Sequence, residues 1–135
     1  MTAKKRIFVN GTFDVLHLGH LKLLNYARSL GDYLLVAIDT DRRVKELKGS
    51  TRPVNSAYER KTLLQNLRCV NEVQFFDNDD QLRTIIEAYK PSVIVKGSDH
   101  RHTSKLSHEL CDEVVFYERF GEYSTTKKIF DTIAR

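Results

Sequence analysis

The sequence predicts a doubly wound parallel α/β fold, and three observations lead there. Apolar runs of strand length alternate with amphipathic stretches along the chain, without repeats or low-complexity segments. The run Tyr33-Leu34-Leu35-Val36-Ala37-Ile38 is apolar without alternation, as in a strand covered on both faces. Polar turns follow the strand-like runs, and a parallel sheet gathers such turns at one edge.

Residues 5–10 read as the first strand, and 18–30 as a helix whose apolar positions Leu21, Leu23, Leu24, Ala27 and Leu30 share a side. Gly31 and Asp32 turn the chain into the strand at 33–38. The polar stretch 39–55 reads as a loop, long for such a fold, and long loops are often functional. Ser56 is the N-cap of a helix through Leu67, with Glu59 three residues on completing a capping box. Residues 72–76 form the third strand. Asp79 or Asp80 starts a helix to Tyr89, and Pro91 restarts the chain. Residues 92–95 make a short central strand, 104–111 a polar helix-like segment and 113–117 the last strand. Ser124 caps a terminal helix over 125–134. Together they predict one domain, residues 1–135, on a Rossmann-like parallel sheet of about five strands with helices on both faces. The ligand crevice lies at the carboxyl ends of the strands.

The composition, 41% hydrophobic and 30% charged, is that of a soluble globular chain. The apolar runs are far too short to span a bilayer, and no secretory leader pattern is visible. Cys69 and Cys111 are isolated and give no disulfide framework, so the expected setting is cytoplasmic, with no membrane partner. The net charge is +4, but Lys and Arg are scattered apart from small groups at 4–6, 42–48 and 127–128. Nucleic acid would want a continuous basic face with interleaved aromatics. The basic groups fall beside polar turns instead, which favours a small anionic substrate and excludes nucleic acid.

The richest turn is Gly11-Thr12-Phe13-Asp14-Val15-Leu16-His17-Leu18-Gly19-His20. It leads from a strand into a helix, whose N-terminal N–H groups and positive dipole end suit an anion. Gly11, Thr12 and Phe13 let backbone amides approach phosphate closely, unless the segment is a plain tight turn. His17 and His20, three residues apart, can hydrogen-bond phosphate oxygens or stabilise charge developing on them. A zinc site would need two more ligands at suitable spacing, so no protein-held metal is expected. Asp14 either orients a histidine or solvates the turn, and it is grouped with the acceptor-binding candidates. Lys45 and Lys48 either close over a triphosphate or sit on a solvated loop. Arg52 and Arg60 are candidates for gripping an acceptor phosphate bidentately. Gly97 and Asp99, in the turn Lys96-Gly97-Ser98-Asp99, lie where a switch point places a ligand. Asp99 either accepts from a base or sugar or ends the strand. Ser124, Thr125 and Thr126 at a helix start offer hydroxyls and amides to terminal phosphates or simply cap the helix. His100, His102 and His108 read as surface residues.

Nearly the whole chain resembles the cytidylyltransferase-like nucleotidylyltransferases. Gly11-Thr12-Phe13-Asp14 with His17-Leu18-Gly19-His20 matches their shared signature, and Ser124-Thr125-Thr126 before Lys127 matches a second one. Lys48-Gly49, Arg52-Pro53-Val54-Asn55 and Val95-Lys96-Gly97-Ser98-Asp99 are similar to strings in the adenylyltransferase domain of ADP-heptose synthase, with Ser98 in place of a glycine. Arg68-Cys69-Val70-Asn71-Glu72-Val73 and Arg119 before Gly121 are similar to glycerol-3-phosphate cytidylyltransferase, with Cys69 and Asn71 as departures. The resemblance implies attack of an acceptor phosphate on the α-phosphorus of a nucleoside triphosphate, with release of pyrophosphate. It implies catalytic roles for His17, His20 and Lys48 and a phosphate or base contact at Arg119. Mg²⁺ would enter with the triphosphate, and a homodimer is the implied assembly. The heptose type, with ATP and a sugar phosphate, is the first expectation, and the cytidylyltransferase with CTP is the second. FAD-synthetase-type chemistry and a non-catalytic nucleotide-binding module are the further alternatives.

Overall fold

In the computed structural model the described residues are 4–97 and 109–117. Five strands, β1 (Arg6–Gly11), β2 (Tyr33–Asp39), β3 (Glu72–Phe76), β4 (Val93–Gly97) and β5 (Glu113–Tyr117), form one sheet in the order β3-β2-β1-β4-β5. Every pairing is parallel. β1 takes the centre, with β4 beside it, so the order reverses between these two strands. Their carboxyl ends, Gly11 and Gly97, flank the switch point that such a sheet offers a ligand.

The continuous apolar runs do what covered strands require. Ile7 and Val9 of β1 face one core with Leu34 and Val36 of β2, under α1 (Leu18–Ser29) and α3 (Ala57–Gln65) through Leu24, Ala27 and Leu64. Phe8, Leu35, Ala37 and Ile94 face the other core, under Ile86 of α4 (Asp79–Tyr89). Helices therefore cover both faces. Asn78 caps α4, its side chain accepting from Gln81 N at 2.8 Å. At Gly31, between α1 and β2, a Cβ would lie 2.5 Å from the Lys5 carbonyl, so only glycine fits the turn.

The stretch 39–55 is not one loop. Residues 41–48 form a helix, α2 (Asp41–Lys48). Thr40 caps it by accepting from Arg43 N at 3.3 Å, Asp41 lies in the first turn, and Lys45 and Lys48 lie in the last. Both charge placements suit the helix dipole. Its one buried residue is Val44, too little apolar periodicity to be read as a helix. Ser56 caps α3 as expected, accepting from Glu59 N at 3.2 Å, but Glu59 answers to the Ser56 hydroxyl instead of its backbone. Most of the expected helix-like segment 104–111 and all of 125–134 lie outside the described residues.

Candidate active site

His17 is the N-cap of α1, and its ring is built into the helix start. Its Nδ1 accepts the Gly19 N–H at 3.1 Å, while His20 Nδ1 accepts the His17 N–H at 3.2 Å. The rings stack with centroids 3.8 Å apart, and Phe13 packs on His20 at 5.3 Å. With both Nδ1 atoms accepting, the neutral rings carry their protons on Nε2. The Gly19 amide is therefore spent on an imidazole and is no donor for an anion.

The turn feeding this cap is unusual for its residue types. Phe13 and Val15, neither of them glycine, have φ of 52° and 48°. Left-handed backbone at such residues costs on the order of 1–3 kcal/mol each and persists only where surroundings impose it. Here Phe13 is buried, and Asp14 between them is tied down at three points. Asp14 Oδ2 accepts from Val54 N at 2.7 Å and Arg52 Nε at 3.2 Å, and Oδ1 accepts from Asn55 N at 2.8 Å. Asp14 thus anchors the loop 52–55, a role the sequence reading left out.

Arg60 has to be reassigned. It is fully buried, with Nε donating to the Asn55 carbonyl at 3.0 Å. Nη1 donates to the carbonyls of Thr12 (2.9 Å) and Asp39 (2.8 Å), and Nη2 to Asp41 Oδ1 (2.8 Å). A guanidinium committed in this way clamps four chain segments and cannot grip an acceptor phosphate.

Sequence reasoning also missed Asp39 and Arg43. Asp39 ends β2, buried, and accepts from Thr12 Oγ1 at 3.0 Å and Arg43 Nε at 2.9 Å. Arg43 reaches on to Asp79 at 2.7 Å, and Arg42 pairs with Asp77 and Glu46. These contacts fix the start of α2 to the sheet and to the start of α4. An Asp at a strand's carboxyl end was the available signal. Lys45 Nζ donates to the Arg52 carbonyl at 3.2 Å. Lys48 lies one turn on, exposed, before Gly49, whose φ is 105°. The structure thus brings Thr12, Phe13, Asp14, His17, His20, Arg52 and Lys45 to one edge of the sheet.

Gly97 ends β4 at that edge, while Lys96 is buried beside the α4 core. Burial lowers the Lys96 ammonium below the ordinary lysine value, partly opposed by Cys111. Asp99, Arg119, Ser124, Thr125 and Thr126 lie outside the described residues, as do His100, His102 and His108. No described helix is long and apolar enough to cross a membrane.

The family model for cytidylyltransferase-like proteins matches residues 8–129. The chain is 43% identical to the bifunctional protein HldE of Helicobacter hepaticus, over 97% of this chain and 27% of that protein. It is 40% identical to HldE of Campylobacter fetus, over 95% of this chain and 28% of that protein. The chain thus spans about a quarter of these relatives' length. Among solved structures, a lipopolysaccharide core biosynthesis protein from Thermoplasma volcanium aligns with TM-score 0.75 and 26% identity, over 88% of this chain and all of that one. Pantoate-beta-alanine ligase from Francisella tularensis shares the fold alone, with TM-score 0.66 and 16% identity, over 93% of this chain and 65% of that one.

Proposed function

The chain belongs to the cytidylyltransferase-like family, and on that premise we propose that it transfers a nucleoside monophosphate from a triphosphate to a small phosphorylated acceptor. An acceptor phosphate oxygen attacks the α-phosphorus, the bond from that phosphorus to the bridging oxygen breaks, and pyrophosphate leaves with the electron pair. Little covalent work falls to the protein, so positioning and charge stabilisation carry the rate. The reciprocal cap of His17 and His20 is the observation that carries this reading. It holds both rings at the positive end of α1, where an imidazole N–H would donate to oxygens gaining charge.

Thr12 and Phe13 would line the triphosphate, joined by Gly97, Asp99, Arg119, Ser124, Thr125 and Thr126. Lys45 and Lys48 would hold phosphates from α2. Mg²⁺ would arrive on the triphosphate and screen its charge. The described residues do not fit a protein-held ion: none group three or more His, Cys, Asp or Glu for a metal, and Asp14 and Asp39 are engaged by the chain's own donors.

The relatives near 40% identity favour the heptose-type reading, with ATP as donor and a sugar phosphate as acceptor. The strings Lys48-Gly49 and Arg52-Pro53-Val54-Asn55 support it. A homodimer in the cytoplasm is the setting we propose. Pyrophosphate release, measured over a panel of triphosphates and phosphorylated acceptors, tests the reading. Release with ATP and a sugar phosphate is expected, and no release with any pair overturns it.

A further inference from the structure

Reassigning Arg60 leaves the acceptor phosphate in want of a receptor, and the arginines at this edge are not equivalent. Arg60 commits Nε, Nη1 and Nη2 to the chain. Arg42 commits all three nitrogens to Asp77 and Glu46, and Arg43 commits Nε and Nη2 to Asp39 and Asp79. Arg52 alone of the four is held through Nε only, with both terminal nitrogens making no bond to the described residues. Its side chain is 12% exposed, against a partner carboxylate, Asp14, that is 0% exposed.

That arrangement defines an orientation. A guanidinium is a rigid plane, so fixing Nε fixes the direction of the far edge formed by Nη1 and Nη2. That edge offers two parallel N–H donors, matched to two oxygens of one phosphate. The position is defined too. Asp14 lies in the same turn as Thr12 and three residues before His17, so Arg52 is tied by its side chain to the turn that handles the triphosphate. The loop around it is rigid, through Val54 N and Asn55 N on Asp14, Asn55 O on Arg60 and Lys45 on the Arg52 carbonyl. A fork held in one orientation binds with little ordering cost.

We infer that Arg52 receives the acceptor's phosphate through Nη1 and Nη2, with Asp14 as the positioning residue that aims them. The inference rests on the nucleotidyl-transfer reading and assigns the residue that holds its acceptor. The acceptor presents a terminal phosphate with two oxygens free to take the fork, so an unphosphorylated sugar or polyol is rejected.

The test is steady-state kinetics of the full chain, with inorganic phosphate as a competitive probe of the acceptor site. Arg52→Lys keeps the charge and loses the fork. It should raise the acceptor KM and the inhibition constant for phosphate by about 10- to 100-fold, as expected for losing a charged bidentate contact. The triphosphate KM should not move. Asp14→Asn should shift the same two constants in the same direction, with Arg52 intact. Unchanged acceptor KM in a folded Arg52→Lys, or a rise confined to the triphosphate KM, overturns the inference while the wild-type chain still turns over. A wild-type chain that releases no pyrophosphate overturns the transfer reading and the inference with it. A measurement on the wild-type chain is independent of how the variants fold. Titrating inorganic phosphate should shift the Arg52 Nε–H resonance, and no shift overturns the inference.

Discussion

His20 Nδ1 accepts the backbone N–H of His17 while the two rings stack at 3.8 Å, so one histidine is positioned by the other's main chain. The capping contact and the proposed chemical role therefore fall to different nitrogens of the same ring. His17→Asn separates them, because an asparagine oxygen also caps a helix well. The variant should keep the wild-type melting temperature and bind triphosphate normally. Its kcat should fall on the order of 10²–10³-fold, the usual cost of one oxyanion donor. Near-normal turnover in this variant would remove Nε2 from the mechanism.

Arg60→Ala should act on the fold. It strips donors from the carbonyls of Thr12, Asp39 and Asn55 in a buried place. Each lost bond of that kind costs about 1–3 kcal/mol, so unfolding in urea should show a loss of about 3 kcal/mol or more. A stable variant with only a raised acceptor KM would restore the substrate-binding role.

What the sequence could show and what it could not divide along physical lines. The strand at 33–38 was legible because burial on both faces forces a continuous apolar run, and the edge strand at 72–76 through its apolar Val73, Phe75 and Phe76. The helix α2 was not, since its start is fixed by Thr40 and by ion pairs of Arg42 and Arg43 to residues some 35 positions away. His17 and His20 were legible by spacing. Asp14 and Arg60 were placed among phosphate contacts because their partners are distant backbone groups, which no local pattern encodes.

Lys48 ends α2 beside Gly49, whose added Cβ would meet nothing within 4 Å. The start of the helix is anchored, so any ligand-dependent movement is expected at its far end. Lys48→Ala should raise the triphosphate KM and lower kcat together. Hydrogen exchange should show nucleotide-induced protection at residues 48–51 and little change at 41–44. Equal protection with and without nucleotide throughout would count against closure.

Acid should loosen the α2 anchor. Hydrogen bonds from Arg42 and then Thr40 hold the Asp77 carboxyl below its ordinary value. The unfolded chain therefore binds this proton more readily, and the contact stabilises the fold fully above the ordinary carboxylate range. That contribution fades as pH falls through the lowered folded value. Melting curves of wild type and Asp77→Asn should differ at neutral pH and converge in acid. The pair is surface-exposed, so added salt should shrink the difference as well. A gap that widens toward acid would reverse the sign.

Base choice should favour ATP over CTP. Adenine and cytosine differ in size and in the donor–acceptor pattern of their edges. A pocket built to pair with one edge leaves its own polar groups unsatisfied with the other, and such buried losses amount to several kcal/mol. The resemblance of Val95-Lys96-Gly97-Ser98-Asp99 to the heptose-type string points to adenine, whereas Arg119 resembles the cytidylyltransferase pattern. Identity near 40% to HldE over nearly the whole chain weighs toward the first. We expect kcat/KM for ATP to exceed that for CTP at least about tenfold, or roughly 1.4 kcal/mol. The comparison should be made with one sugar phosphate that both reactions accept, so that the acceptor site contributes equally to each ratio. A preference for CTP would reassign the donor and leave the roles proposed for His17, His20 and Arg52 standing, since those roles concern phosphates and not the base.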